Sequence, residues 1–159
     1  MTNIRRSRGY NFEHKLVKKL NSGDWIARRL GGSSTGLPDI VAVNNRLSIL
    51  LAIEAKSATG NSIYVPPDQI VRCHMITKMF EAYNEKHIIL AFKFMRIKRQ
   101  IIAGKTNYVP RKTKEYYKIL KFKKTPKTYP IIKCNYEGDT FAIHNAKIRK
   151  VNLKNFQIP

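Results

Sequence analysis

Two apolar runs, PDIVAV at 38–43 and RLSILLAIEAK at 46–56, constrain this chain more than anything else in it. Each is short, rich in β-branched residues and apolar almost throughout. That pattern belongs to central strands covered on both faces, because a sheet with one wet face alternates apolar and polar. With a turn at Asn44-Asn45 the two runs form a hairpin at the heart of a sheet. The acids are placed oddly for such a segment. Asp39 opens the first strand, Glu54 closes the second, and Lys56 follows two positions later.

The flanking segments supply the layers. RGYNFEHKLVKKLN (8–21) reads as an amphipathic helix, with Ser7 available as its N-cap and NSG as its stop. DWIARRL (24–30) suits a strand and GGSSTG (31–36) a loop. After SATGNS, the stretch from Asp68 to Lys86 carries apolar residues at helical spacing behind Pro66-Pro67, and HIILAFKFM (87–95) is another buried strand. Helix, three strands, helix, strand predicts an α/β fold with a central mixed β-sheet flanked by helices. From 96 onward the pattern weakens. KEYYKILKFKK (114–124) suits strand or helix, and YPIIKCNYEGDTFAIHN (129–145) reads as a hairpin. No composition break divides the chain, so 1–159 is expected to be a single domain, with a core at 5–95 and a basic, β-rich extension at 96–159.

The charge is extreme: 31 Lys+Arg against 10 Asp+Glu, formally +21. The excess is even, at 17 basic and 7 acidic residues in 1–100 and 14 and 3 in 101–159. Such a surface repels itself unless a polyanion supplies counter-charge, and nucleic acid is the first candidate. Cys73 and Cys134 stand apart with no CxxC or Cys/His cluster, which argues against zinc and a disulfide framework. No signal-like core follows the first residues, and no run approaches the roughly 20 apolar residues of a membrane span. A cytoplasmic protein with no membrane partner, associated with the nucleoid while acting, is expected.

Glu13 sharpens the functional reading. On a helical wheel it falls inside the stripe of Phe12, Leu16, Val17 and Leu20, while the lysines and His14 fall opposite. Glu54 and Lys56, two apart on a strand, leave one face of the sheet, and a paired register can bring Asp39 near Glu54. Carboxylates so placed repel, and a divalent cation between them removes the penalty. Mg²⁺ suits oxygen ligands and retained waters, with Mn²⁺ an alternative. A metal-bound water can attack phosphorus, and an ammonium alongside can steady that nucleophile. Each residue has a plainer reading on its own. Asp39 could cap a turn after Pro38, Glu54 and Lys56 could be an ordinary ion pair, and Glu13 could reach out to water. Those readings leave the charge of +21 unexplained.

PD at 38–39 followed 15 residues after the Asp by EAK resembles the motif of the PD-(D/E)xK nuclease superfamily. RGYNFEHKLVKKL, ARRLGGSSTGLPDIVAV and LLAIEAK, in that order, resemble the archaeal-type Holliday-junction resolvases over roughly residues 5–95. The resemblance implies a restriction-endonuclease-like fold and a homodimer that binds four-way junction DNA and cuts two strands with Mg²⁺ during recombination. It implies Asp39 and Glu54 as direct metal ligands, with the Ala55 carbonyl a further one. Glu13 would bind the metal through water or orient it, and Lys56 would assist the nucleophile. Arg29 matches a phosphate-contacting base, and Ser33, with Ser34 beside it, a catalytic-loop serine. Around Met75, Met79 and Phe80 relatives place dimer contacts, although helical spacing fits core packing equally. His14, where relatives often carry a basic residue, is given no role.

Arg5, Arg6 and Arg8 before the helix suit contacts to the DNA backbone, as do Lys121, Lys123 and Lys124 in the basic segment 111–127, which matches no part of the family. Two rival functions remain at this level. One is a PD-(D/E)xK endonuclease acting on linear or damaged duplex. The other is a non-catalytic junction-binding protein, against which the intact set Glu13, Asp39, Glu54 and Lys56 counts.

Overall fold

The computed structural model describes residues 4–31, 35–122 and 126–159. Helix α1 (Ile4–Leu20) is followed by strands β1 (Trp25–Arg29), β2 (Ile40–Asn44), β3 (Ile49–Ala58) and β4 (Ser62–Val65). Helix α2 (Pro67–Met79) leads into β5 (Glu85–Phe94), β6 (Ile97–Ile102), β7 (Lys105–Pro110), β8 (Lys114–Leu120), β9 (Ile131–Asn135), β10 (Thr140–His144) and β11 (Lys147–Val151).

The main sheet has the order β1-β2-β3-β5-β8 and is mixed: β3 and β5 run parallel and every other pair antiparallel. Side-chain alternation along β3 and β5 divides the core in two. Leu51, Ile53, Ala55, Ile89 and Ala91 pack under α1 against Phe12, Leu16 and Leu20. Leu50, Ala52, Leu90, Phe92 and Phe94 face the other way, against Ile70, Cys73 and Ile76 of α2. A second sheet, β11-β10-β9-β4, completes that layer by adding Ile63, Val65, Ile132 and Cys134 to the same cluster. The C-terminal residues lie along the outer edge of β8. Ile119 N–H donates to Lys154 O at 2.8 Å and Phe156 N–H to Tyr117 O at 2.8 Å, which covers hydrogen-bonding groups that an edge strand leaves open.

Several boundaries differ from the sequence expectation, each for a local reason. α1 begins at Ile4 and takes in Ser7, so that serine is no cap. Its end is held by Asn21, whose Nδ2 donates to Val17 O at 3.0 Å and whose Oδ1 accepts the Ala27 N–H at 2.8 Å, joining the helix stop to β1. The central turn spans 45–48, because the buried Asn44 carboxamide accepts the Leu47 N–H at 2.9 Å and Ser48 takes φ 57°. Helix α2 ends at Met79, short of Lys86, because β5 is tethered at its start by Glu85 N–H to Ser48 O, 3.0 Å. The 114–120 segment is a strand paired with β5. Strands β4, β6, β7 and β11 carry no sequence signal strong enough to have been expected. In the β9–β10 turn Gly138 has φ 92°, and a Cβ there would stand 2.6 Å from the Tyr116 ring, so this turn needs glycine twice over. No helix among the described residues is long and apolar enough to cross a membrane.

Candidate active site

The antiparallel register of β2 and β3 builds the site. Ile40 lies opposite Ile53, which puts Asp39 beside Glu54, where the β2–β3 ladder ends while β3 runs on to Ala58 paired with β5. Asp39 is fixed at both ends: its Oδ2 accepts the Ala55 N–H at 2.8 Å, and its carbonyl accepts the Leu30 N–H at 2.9 Å. By alternation, Asp39, Glu54 and Lys56 face the α2 side of the sheet. The Cys73 thiol of α2 is pushed up by burial and by the charges of Glu54 and Asp39, so it stays neutral at this position.

Glu54 is almost wholly buried, at 2% exposure. One oxygen, Oε1, lies 3.2 Å from Lys56 Nζ. The other, Oε2, is buried with no hydrogen-bond partner. Burial, then the Asp39 charge, pushes the Glu54 pKa up to about 8, against the opposing pull of Lys56. Two acceptor-only carboxylates cannot satisfy each other. A proton or a cation between them can.

Glu13 belongs to the opposite layer. It sits under the α1 face with Arg29 of β1, whose Nε donates to its Oε2 at 2.7 Å. The Arg29 guanidinium also stacks on Tyr10 at 4.6 Å, and Tyr10 stacks on His14 at 5.8 Å. Burial raises the Glu13 pKa, the Arg29 bond opposes it, and the Asp39 charge adds to the rise, so the carboxyls feel each other around the end of the sheet. The three acids therefore do not close into one cage. Among the described residues, no group of three His, Cys, Asp or Glu side chains is gathered to hold a metal ion. Asp39 and Glu54 form the pair, and Glu13 is engaged by Arg29.

The donor set still fits Mg²⁺ or Mn²⁺. Such ions take one or two carboxylates and complete their shell with water and phosphate oxygens. Asp39 and the orphaned Glu54 Oε2 supply that minimum, with the Ala55 carbonyl on the same stretch of β3.

Among the other residues singled out by sequence, Arg5 and Arg8 line a hollow of about 310 Å³ with Ser57–Gly60 and Met95, at the end of β3 just beyond Lys56. Arg6 is exposed on the first turn of α1. Lys121 lies elsewhere, beside His74, Lys78 and Lys86 near the start of β5. Ser33, Ser34, Lys123 and Lys124 lie outside the described residues. Two participants carried no usable sequence signal. Tyr10 supports Arg29 and is found only through its i, i+4 relation to His14. Arg111 ties the end of β3 to the residue after β5 by donating from Nη2 to Ala58 O at 3.4 Å and from Nε to Met95 O at 2.8 Å.

The family model for the archaeal Holliday junction resolvases (Hjc) matches residues 4–107. No curated protein sequence matches the chain. Among solved structures, the Holliday junction resolvase Hjc of Archaeoglobus fulgidus matches at 24% identity, covering 80% of this chain and 87% of that one, with a TM-score of 0.47. The family match spans α1, the β2–β3 hairpin with Asp39, Glu54 and Lys56, α2 and β5. This chain belongs to the Hjc family of archaeal Holliday junction resolvases.

Proposed function

We propose that the chain resolves four-way DNA junctions by divalent-metal-assisted hydrolysis, with Asp39 and Glu54 as the carboxylate ligands. The observation that carries the metal requirement is the unpartnered, buried Oε2 of Glu54 beside a second carboxyl. A cation bound there would acidify a coordinated water and offset charge on the phosphate. Asp39 is held for this task by the Ala55 N–H, so its second oxygen stays available. Lys56, 27% exposed, keeps an ammonium where a nucleophile would approach and offers it to charge building on the phosphate. Glu13 orients rather than ligates: it fixes Arg29, whose guanidinium then presents its remaining donors to a phosphate. Arg5, Arg6 and Arg8 hold the DNA backbone alongside.

Resolution needs two cuts, and we assign the second active site to a second copy of the chain. Val71, Met75 and Met79 lie four apart on α2 and are 41%, 55% and 69% exposed, with Phe80 beyond them at 42%. They are not core residues. An apolar stripe of this kind on a protein of charge +21 suits a self-complementary contact.

The test uses labelled four-way junction and duplex of equal length, with Mg²⁺ and with EDTA. Paired cuts in the junction should appear only with the metal, while binding persists in EDTA. Cleavage undiminished by EDTA would refute the metal assignment. A junction preference below about tenfold would favour a duplex endonuclease (~1.4 kcal/mol).

A further inference from the structure

Among the described residues, strands β6 and β7 pair only with each other, as a two-stranded ribbon joined to the body by Arg99 N–H to Thr59 O. At about 3.4 Å per residue the ribbon's strands are roughly 20 Å long, and about three residues, roughly 10 Å, extend beyond the tether of Arg99 N–H to Thr59 O. Every residue of β7 is exposed, and Ile97, Ile101, Ile102 and Tyr108 of the ribbon are 45%, 68%, 54% and 63% exposed. A bare two-stranded ribbon gains little from its own ladder, so exposed apolar residues on it add little to the stability of the isolated chain.

Their arrangement points to an occupant. Alternation and the register place Ile101 and the Arg99–Tyr108 cross-strand pair on one face. The tip is Ile101-Ile102-Ala103-Gly104, with Ala103 at φ 50° and Gly104 at φ 74°, a turn that keeps an alanine in the left-handed region where glycine or asparagine is usual. Cations flank that apolar end. From 86 to 114 the chain has nine basic and no acidic residues, among them Lys98, Arg99 and Lys105 on the ribbon itself.

The root is aimed and stiff. Arg99 N–H donates to Thr59 O at 3.0 Å, and Arg111 closes the base by N–H to Arg96 O at 2.7 Å while stacking on Tyr136 at 4.7 Å. Ala58 is four residues past Glu54 on β3, or about 13 Å, so the ribbon leaves the sheet at the same end as the carboxylates.

We propose that the β6–β7 ribbon is a wedge whose tip enters the branch point of the DNA, Ile101 on one face and Ile102 on the other packing against the bases that the tip separates. Lys98, Arg99 and Lys105 hold the flanking phosphates. Apolar side chains inserted between base steps unstack them at a cost, and that cost is least where stacking is already interrupted. A ribbon of this kind therefore discriminates a junction from continuous duplex at one strand's reach from the cutting site. This rests on the resolvase reading above.

The test is a four-way junction with 2-aminopurine at the branch point, bound in EDTA, against a duplex of the same sequence. Wild type should raise the fluorescence on the junction. Ile101→Ser with Ile102→Ser should lose that rise and bind the junction about tenfold more weakly, leaving duplex affinity within about twofold. Because the residues touch no core, the circular dichroism and melting temperature should not move. Tyr108→Ala should lose part of the rise. A double variant that keeps both the rise and the affinity overturns the wedge. Equal losses on junction and duplex, or a change of sedimentation mass, overturn it too, the latter making the ribbon a contact between copies. Wild type that does not distinguish junction from duplex overturns the resolvase reading as well.

Discussion

Asp39 accepts the Ala55 N–H at 2.8 Å across the β2–β3 ladder, so the carboxylate at the mouth of one strand is held by the backbone between Glu54 and Lys56 on the next. Two carboxylates and an ammonium from one hairpin are thereby fixed relative to each other by main-chain geometry, the stiffest element available.

Asp39→Asn keeps an acceptor for the Ala55 N–H and removes the charge. Junction cleavage should fall by about 10²-fold or more, as for loss of a central electrostatic group, while binding in EDTA stays within about threefold. Gel assays of cutting and of mobility separate the two effects, and a variant that cuts at the wild-type rate ends the assignment.

Glu54 sets a pH dependence of stability. Its folded pKa of about 8 exceeds the ordinary 4.5, so between those values the native state holds a proton that the unfolded chain releases. Without metal, stability is therefore highest below the unfolded pKa and falls as pH rises through the folded one. Mg²⁺ should raise the melting temperature at pH about 8 and do little at pH about 5, where the proton competes. Glu54→Gln should flatten the pH slope and abolish the Mg²⁺ effect. A melting temperature in EDTA that climbs between pH 5 and 8 in wild type, relative to Glu54→Gln, contradicts the burial argument.

Arg29 and Glu13 are partly buried partners, with side chains 32% and 14% exposed. Arg29→Ala leaves the Glu13 carboxylate without its donor and should cost about 1–3 kcal/mol in urea denaturation. Adding Glu13→Gln should recover part of that loss, and the coupling follows from a double-mutant cycle. Strict additivity of the two changes would show that the pair contributes nothing.

The α2 stripe decides oligomeric state in this reading. Met75→Asp with Met79→Asp should convert a dimer to monomers in sedimentation and replace paired cuts by single nicks. Both residues are exposed, so the fold should be retained. Monomeric wild type at micromolar concentration would remove α2 as the interface.

The sequence by itself determined the hairpin and what it carries. Two uniformly apolar runs had to be central strands, and their period of two put Glu54 and Lys56 on one face. The Gly/Ser loop, the order of segments and the early Glu were enough to identify the family. Only tertiary structure decided which acids meet. A helical wheel shows that Glu13 turns inward, but not toward which side of the sheet, and here α1 packs against the face opposite the one from which Glu54 projects. The end of α2 was likewise out of reach, since a pattern that could continue to Lys86 is cut by the tether of Glu85 to Ser48, 37 residues away in sequence. The β6–β7 ribbon was illegible for the opposite reason. With no core to face, β7 is exposed throughout and the half-buried positions of β6 are the polar Lys98 and Gln100, so no apolar periodicity marks the ribbon in the sequence.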